Sequence, residues 1–220
     1  AALRRLQVDY LDLYYCHRPD PEVPIEETAR AMHDLVTQGK VLYWGTSEWS
    51  GDNLAEAFAV CAKLNLHRPI VEQPQYNLFH RSRVEKEYAP FYRSPGLGTT
   101  VWSPLATGLL TGKYNDGVPS QSRLDTPGME WLRDRLTSDP RFPAKLEAVR
   151  QLAGIARDLG TTLPCLALAW CLTNPHVSSV ILGASRVEQL RENFGALDVV
   201  AQLSPAVLQR IEGLTAHLAN

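Results

Sequence analysis

The amino-acid sequence predicts an α/β fold, and within that class a (β/α)8 TIM barrel present here in part, with about five of its eight strand–helix units. Three features lead to this prediction. Short apolar strands alternate with amphipathic helices, which indicates a parallel sheet with helical crossovers. Polar and glycine residues gather directly after the strands. An anion-binding pattern follows the last strand, where barrels commonly bind phosphate.

The elements follow one another regularly along the chain. The predicted strands are residues 8–15, 40–46, 69–72, 99–103 and 177–182. The predicted helices are residues 25–38, 50–64, 83–92, 129–136, 143–159, 163–172, 204–218 and a helix starting at Val187. Gly39 is expected to end the first of these helices and Ser50 to cap the second. A long loop runs from the fourth strand to about Pro140, and loops of that length are usually functional or mobile.

A complete barrel needs three more strands than the sequence contains. At roughly 30 residues per unit, about 100 residues would precede Ala1. Leu3 and Leu6 fit the end of an amphipathic helix whose beginning is absent. We therefore expect residues 1–220 to be a single barrel domain that is truncated at its N-terminus.

Composition restricts the function further. The chain has 220 residues, is 45% hydrophobic and carries a formal charge of −2, which argues against general nucleic-acid binding. It has neither a signal-peptide pattern nor an apolar stretch of about 18 residues, so no membrane insertion is expected and the cytoplasm is the predicted location. The four cysteines lack zinc-ligand spacing and are predicted to be reduced core residues.

Residues 178–196 carry the anion-binding pattern. The apolar run 180–182 is typical of a strand covered on both faces, and Gly183 permits a tight turn after it. Ser185 and Glu188 have the spacing of a capping box, which would place free N–H groups near an anion. Gln189 and Asn193 lie four residues apart, on one face of the same helix. This pattern points to a nucleotide, although a capped surface helix would give the same spacing.

Six motifs, taken together and in order, resemble the aldo-keto reductase superfamily, most closely its branch containing the voltage-gated potassium channel beta subunits. They are RLQVDYLDL at 5–13, HRPD at 17–20, YWGTSEWS at 43–50, EQPQYNLF at 72–79, WSPLATGLLTGKY at 102–114 and GASRVEQLREN at 183–193. The resemblance spans nearly the whole chain. It implies a barrel that binds NADPH across the mouth formed by the carboxyl ends of its strands.

The resemblance also implies a cofactor-binding set. Its members are Ser47, Gln73, Trp102, Ser103, Leu105, Lys113, Arg123, Gly183, Ser185, Gln189, Glu192 and Asn193. Lys113 and Arg123 would close over the pyrophosphate. Arg186 joins this set because a guanidinium suits the 2′-phosphate of NADPH, which predicts NADPH/NADP+ as the cofactor rather than NADH. Tyr76 is a further residue that could stack on the nicotinamide.

In this superfamily a hydride moves to a carbonyl carbon while a Tyr donates a proton, assisted by a Lys, an Asp and a His. His17 lies where that His belongs, and the other three residues would lie upstream of Ala1. Channel beta subunits often carry Asn at this position. At position 48, channel beta subunits often have Arg, whereas this chain has Glu48. Because a carboxylate would repel the pyrophosphate, we expect the Glu48 side chain to point elsewhere.

Three functions remain open on the sequence alone. The first is an NADPH-dependent reductase of small aldehydes or ketones, with this chain as its cofactor-binding portion, inactive alone. The second is a regulatory subunit that associates with a channel and senses NADP(H). The sequence also leaves open whether the protein associates with itself. The third is a phosphate-binding aldolase in which Lys113 forms a Schiff base. This function ranks last, because a lysine in a long flexible loop rather than at a buried strand end is poorly placed to have its pKa lowered.

Overall fold

The computed structural model describes residues 1–120 and 122–220. Five strands lie in one sheet in the order in which they occur along the chain. They are β1 (Leu11–Cys16), β2 (Val41–Thr46), β3 (Val71–Glu72), β4 (Gly98–Val101) and β5 (Val177–Val180). The pairs β1–β2, β2–β3 and β3–β4 are parallel. The predicted α/β class with a parallel sheet is therefore confirmed.

Helices lie between the strands, most of them at positions that the sequence predicts. They are α1 (Ala2–Leu6), α2 (Ile25–Thr37), α3 (Gly51–Leu64), α4 (Ala89–Arg93), α5 (Glu130–Thr137), α6 (Phe142–Asp158), α7 (Leu163–Leu172), α8 (Val187–Phe194), α9 (Ala196–Val200) and α10 (Pro205–Thr215). Ser50 caps α3 as predicted, in a reciprocal capping box with Asn53. A π-helical turn spans Arg83–Glu87, and short 3-10 helices span Ala106–Thr111, Arg123–Asp125 and Ala216–Leu218.

One helix was predicted at residues 83–92, and the structure divides it. The π-turn ends at Glu87, and α4 begins at Ala89 with Pro90 in its first turn. Proline has no N–H to donate and is tolerated only at the start of a helix, so a continuous helix through Pro90 is excluded.

The chain divides into two compact units. The first comprises Ala1–Pro74 and Arg83–Thr100. Its core has two clusters: the apolar side of α2 packs with Trp44 of β2, and Trp49 packs with Leu54 and Tyr88. The Trp44 indole donates to the carbonyl of His67 at 2.8 Å, which satisfies its buried N–H. These clusters hold the helices of this unit against its strands.

The second unit comprises Gln75–Ser82 and Val101–Asn220. Its centre is α7, in which eight of the ten residues are buried, with buried residues of α6 and α10 such as Leu152 and Ile211. Among the described helices, no single one is long and apolar enough to cross a membrane; α6 and α7 reach that composition only as a pair bent by 88°.

The fifth strand differs from its prediction. It ends at Val180 rather than residue 182, and it is not covered on both faces. Ser178 and Ser179 are exposed, and Ile181 retains 39% of its accessible surface. The Ile181 N–H donates to the Val101 carbonyl at 2.8 Å, so the chain remains bonded beyond the strand's assigned end.

Asp139 lies just before α6, and its ion pair is expected to contribute to the stability of the fold. Its carboxylate accepts from Lys145 Nζ at 2.6 Å, and this bond, with those from Arg141, holds the Asp139 pKa below its usual range. Stability from a lowered pKa is present above the unfolded value of about 3.9 and lost as the pH falls below it. We expect Asp139→Asn to cost about 1–3 kcal/mol at pH 7 and to flatten the acid limb in urea unfolding measured from pH 7 to 3.

Asp134→Asn is the matched control. Asp134 is exposed, and its carboxylate lies 3.9 Å from Arg133 Nε, so this ion pair is weak. Equal losses of stability in the two variants would contradict the role given to Asp139.

Candidate active site

The carboxyl ends of β1, β2 and β3 carry three of the predicted site residues in the first unit. The Ser47 N–H donates to the Cys16 carbonyl at 3.0 Å, and the Gln73 N–H donates to the Thr46 carbonyl at 2.8 Å. Ser47 is 3% exposed, and its hydroxyl donates to the Gln73 carbonyl at 2.9 Å. The structure thus brings Ser47 and Gln73 together. The described residues offer the Gln73 side-chain amide no hydrogen bond, which leaves it available to a ligand.

His17 follows β1 directly and is exposed. Its neighbour Arg18 donates from Nη1 to the Ser47 hydroxyl oxygen at 3.1 Å. The sequence analysis did not single out Arg18, although it stands inside the HRPD motif. The arrangement places the Arg18 guanidinium against Ser47, with His17 directly before it in the chain at the end of β1.

The Glu48 side chain is held in an ion-pair network. Its backbone is left-handed, with φ 59°, and Arg83 Nη1 lies 2.7 Å from its carboxylate. Arg83 Nε also contacts Glu87 at 3.2 Å, and Glu87 accepts the Gly51 N–H at the start of α3 at 2.7 Å. The negative charge of Glu48 is therefore compensated by Arg83, a partner that the sequence pattern did not reveal.

Glu72 is a fully buried acid at the end of β3, directly before Gln73. Its carboxyl group accepts a hydrogen bond from the Thr46 hydroxyl. Burial, the largest effect, raises the pKa of Glu72 to about 7; the Thr46 bond opposes this and the nearby charge of Glu48 adds to it. Sequence analysis missed this group because a glutamate in a short strand gives no sign of its burial.

In the second unit, Trp102 directly follows β4 and forms a β-bridge with Gln75, and Ser103 and Leu105 lie in the turn after it. Ser103 has φ 53°, and Ala106 and Thr107 also have positive φ values, which is uncommon for residues other than glycine. The Ser103 side-chain oxygen accepts the Thr107 N–H at 3.2 Å, and its carbonyl accepts from Asn77 at 3.0 Å. The Ser103 hydroxyl hydrogen can still be donated to a ligand. Backbone conformations of this kind cluster at functional sites.

Lys113 and Arg123 lie near enough for their charges to interact. Partial burial, followed by the charge of Arg123, lowers the Lys113 pKa. The Lys113 ammonium lies 5.0 Å from the Tyr114 ring centroid. The Lys113 side chain packs against Gly108, where an added Cβ would come within 2.9 Å of its Cε and 3.0 Å of its Nζ. Within residues 1–120 and 122–220, neither cation forms an ion pair. Two neighbouring cations without a carboxylate form a site suited to an anion.

The segment around α8 corrects the predicted capping box. The helix begins at Val187, so Arg186 is its N-cap residue, and no side chain caps it. The Ser185 N–H and hydroxyl instead lie 2.9 and 3.2 Å from Gln189 Oε1. The Gln189 side-chain oxygen thus accepts from Ser185, and Arg186 rather than Ser185 occupies the N-cap position.

Most of the other predicted residues of this segment are exposed to solvent, and one is buried. Gly183, Arg186 and the Glu192 side chain are exposed, and Asn193 is buried at 7%. The Glu192 carbonyl lies 3.0 Å from Cys165 Sγ. Arg186 forms no ion pair with any described residue, so its guanidinium is available to a phosphate.

Tyr76 does not fit the stacking role considered for it. It is 2% exposed, and its ring stacks on Trp170 with centroids 5.1 Å apart. Asn174 donates to its hydroxyl at 3.3 Å, and Arg81 covers the Trp170 ring at 5.0 Å. Tyr76 is a core residue of the second unit.

A parallel α/β sheet with polar side chains at the carboxyl ends of its strands is the arrangement of a barrel-type enzyme. Residues 1–216 match the model of the Aldo/keto reductase family. The chain belongs to this family. The resemblance of the six motifs to the aldo-keto reductase superfamily is therefore confirmed.

Three relatives show which branch of the family the chain is similar to. A probable voltage-gated potassium channel subunit beta of Arabidopsis thaliana is 51% identical over 213 residues, 96% of this chain and 64% of the relative. A protein of the same description from Oryza sativa subsp. japonica is 49% identical, covering 97% and 64%. A putative one from Schizosaccharomyces pombe is 47% identical, covering 96% and 61%. The chain spans less than two thirds of the length of these relatives.

Proposed function

We propose that this chain is the cofactor-binding portion of an NADPH-dependent aldo-keto reductase that reduces aldehydes or ketones to alcohols. The observation that carries the proposal is the pair of neighbouring cations, Lys113 and Arg123, which lack a carboxylate among the described residues. An anion between them would relieve their repulsion, and a dinucleotide pyrophosphate has the required charge.

The remaining residues have roles that match a dinucleotide. Gln73 offers a free amide to a carboxamide, and the Ser103 hydroxyl has a hydrogen to donate to phosphate. Arg186 would pair with a 2′-phosphate. NADPH, when bound, supplies the hydride. His17 would donate a hydrogen bond to the carbonyl oxygen, where negative charge develops.

The proposal extends to the whole protein. The five strands would be part of one (β/α)8 barrel domain located in the cytoplasm, and the Tyr, Lys and Asp of the reaction would come from other strands of that barrel. We propose that the 220 residues by themselves do not reduce carbonyls. A small carbonyl compound is the expected partner, with self-association or channel association as further proposals.

A fluorescence titration with NADPH tests the cofactor site. Because a charge-assisted hydrogen bond contributes about 1.5–3 kcal/mol, Lys113→Gln should weaken NADPH binding roughly 10- to 100-fold. Lys63→Gln is the control, since Lys63 is an exposed lysine of α3. Equal affinities of these two variants would contradict the assignment of Lys113, and an absence of NADPH binding by the complete protein would contradict the proposed function.

Arg186 provides a separate test of cofactor choice. Arg186→Gln should weaken NADPH binding about tenfold and leave NADH binding unchanged, because only NADPH has the 2′-phosphate. Arg191→Gln, a change to an exposed arginine of the same helix, serves as the control. Equal affinity of the unmodified protein for NADPH and NADH would refute the preference.

The names of the three relatives support a second candidate, a regulatory subunit that binds NADP(H) and associates with a potassium channel. His17 favours the reductase, because channel beta subunits often have Asn there. NADPH binding by the complete protein without turnover of 4-nitrobenzaldehyde would favour the regulatory subunit.

A further inference from the structure

Thr46 and Glu72 join the ends of β2 and β3 directly beneath two predicted cofactor residues. They are Cα partners in the parallel register, and the Thr46 hydroxyl donates to Glu72 Oε2. Both side chains are fully buried. Ser47 follows Thr46 and Gln73 follows Glu72, and the Gln73 N–H donates to the Thr46 carbonyl. Because β3 has only two residues, this side-chain bond adds to a small number of backbone hydrogen bonds that hold the strand end.

The surroundings of Glu72 disfavour a negative charge. Its Oε1 is buried and has no hydrogen-bond partner within the described parts of the chain. The backbone N–H groups of Glu48 and Trp49 approach closely enough to favour the charged form, but neither forms a hydrogen bond to Oε1. A buried carboxylate with one oxygen unsatisfied costs more than the protonated acid, because an unpaired buried charge is penalised more than an unpaired neutral polar group.

Among the described residues, no nearby cation is free to compensate that charge. From the segment after β2, Glu48 adds a like charge. From the π-turn, Arg83 is already shared by Glu48 and Glu87. On β4, the partner of Glu72 is the uncharged Thr99. The remaining titratable groups coupled to Glu72 are the phenols of Tyr88 and Tyr92, whose pKa values burial raises; both phenols are therefore neutral at physiological pH.

We propose that Glu72 is a positioning residue that fastens the strand ends bearing Ser47 and Gln73 only while its carboxyl group is protonated. Ionisation would place a charge in this buried contact and loosen the strand ends, so that the Gln73 amide and Ser47 hydroxyl are held less firmly for the nucleotide. The inference concerns the order of the site rather than a chemical step, and it rests on the proposed cofactor site for its consequence in binding.

The direction of the pH effect follows from the raised pKa. A Glu in the unfolded chain titrates near about 4.3, and burial raises the Glu72 pKa to about 7 in the folded chain. The contribution of the protonated acid is therefore complete below about pH 4.3 and lost as the pH rises through about 7. Cofactor retention would accordingly decline as the pH rises towards about 7 and level off above it.

Two measurements on the unliganded protein test the inference. The first is an NMR titration of the Glu72 side-chain carboxyl carbon, for which we expect a midpoint near pH 7. The second is amide hydrogen exchange of Gln73 and Ser47 at pH 6 and pH 8, expressed as protection factors. Opening linked to one proton should lower these factors about tenfold between pH 6 and pH 8, because the slope of about tenfold per pH unit applies only between the pKa of the open state, about 4.3, and that of the folded state, about 7, and vanishes above both. Glu72→Gln, which cannot ionise, should remove the pH dependence, and Glu56→Gln, a change to an exposed acid of α3, should retain it.

A Glu72 midpoint near 4, or a protection factor that does not change with pH in the unmodified protein, would overturn the inference, and neither result depends on a variant that folds. NADPH titration at the two pH values then tests the consequence. The 2′-phosphate itself titrates near pH 6, so affinity is compared between the unmodified protein and Glu72→Gln. If NADPH does not bind at either pH, the proposed function fails, while the carbon titration and the exchange data still decide the role of Glu72.

Discussion

Replacing His17 with alanine is expected to lower kcat for 4-nitrobenzaldehyde about 10²- to 10⁴-fold in the complete reductase, the range for loss of a positioned acid–base group. The imidazole follows β1 and is exposed, so it can reach a ligand at the carboxyl ends of the strands. In the transition state of carbonyl reduction, negative charge grows on the oxygen. A hydrogen bond from His17 is therefore stronger in the transition state than in the ground state, and its loss should lower kcat more than it raises KM.

The control is His217→Ala, a change to an exposed histidine of the second unit. NADPH affinity measured in parallel should stay unchanged in His17→Ala, because the proposed cofactor contacts lie on other residues. A variant that retains full activity would remove His17 from the reaction. If the unmodified complete protein shows no turnover while it binds NADPH, the regulatory function becomes the better reading.

Most of the fold could be predicted because it depends on local patterns. The alternation of apolar strands with amphipathic helices gave every strand of the sheet to within a few residues. The Ser50 cap was also predictable, since its partner Asn53 is only three residues away. Interactions between residues a few positions apart can be predicted from local sequence patterns, because capping and hydrophobic periodicity follow the same physical rules in every protein.

The predictions failed where residues distant in sequence decide the outcome. One local prediction also failed, since spacing suggested a capping box at Ser185 and Glu188 but the Ser185 N–H donates to Gln189, four residues away, instead. Arg83 compensates Glu48 across 35 positions, which no short pattern reveals. The burial of Glu72 depends on the strands and loops around it, so its raised pKa is a property of the folded unit. The identity of the site residues themselves came from the family resemblance and stays a prediction.

Gly45→Ala should produce the largest loss of stability in the first unit. Gly45 lies opposite Val71 in the β2–β3 register. A Cβ at this position would come within 2.5 Å of both the Val71 carbonyl oxygen and its Cγ1, and within 3.1 Å of the Tyr15 ring. Because a backbone oxygen cannot rotate away, β3 would have to move. Overpacking of this kind costs about 1–3 kcal/mol, and the backbone contact places Gly45→Ala at or above the upper end.

Urea unfolding provides the measurement, with Gly213→Ala as the matched control. Gly213 lies inside α10, and no atom lies within 4 Å of the added Cβ, so alanine should stabilise the helix by up to about 1 kcal/mol. A loss below about 0.5 kcal/mol in Gly45→Ala, the range of neutral surface changes, would show that β2 and β3 are less closely packed than described here. Because the shift of β3 displaces Gln73 from Thr46 and Ser47, the same variant should also weaken NADPH binding, which connects the packing of two strands to the proposed function.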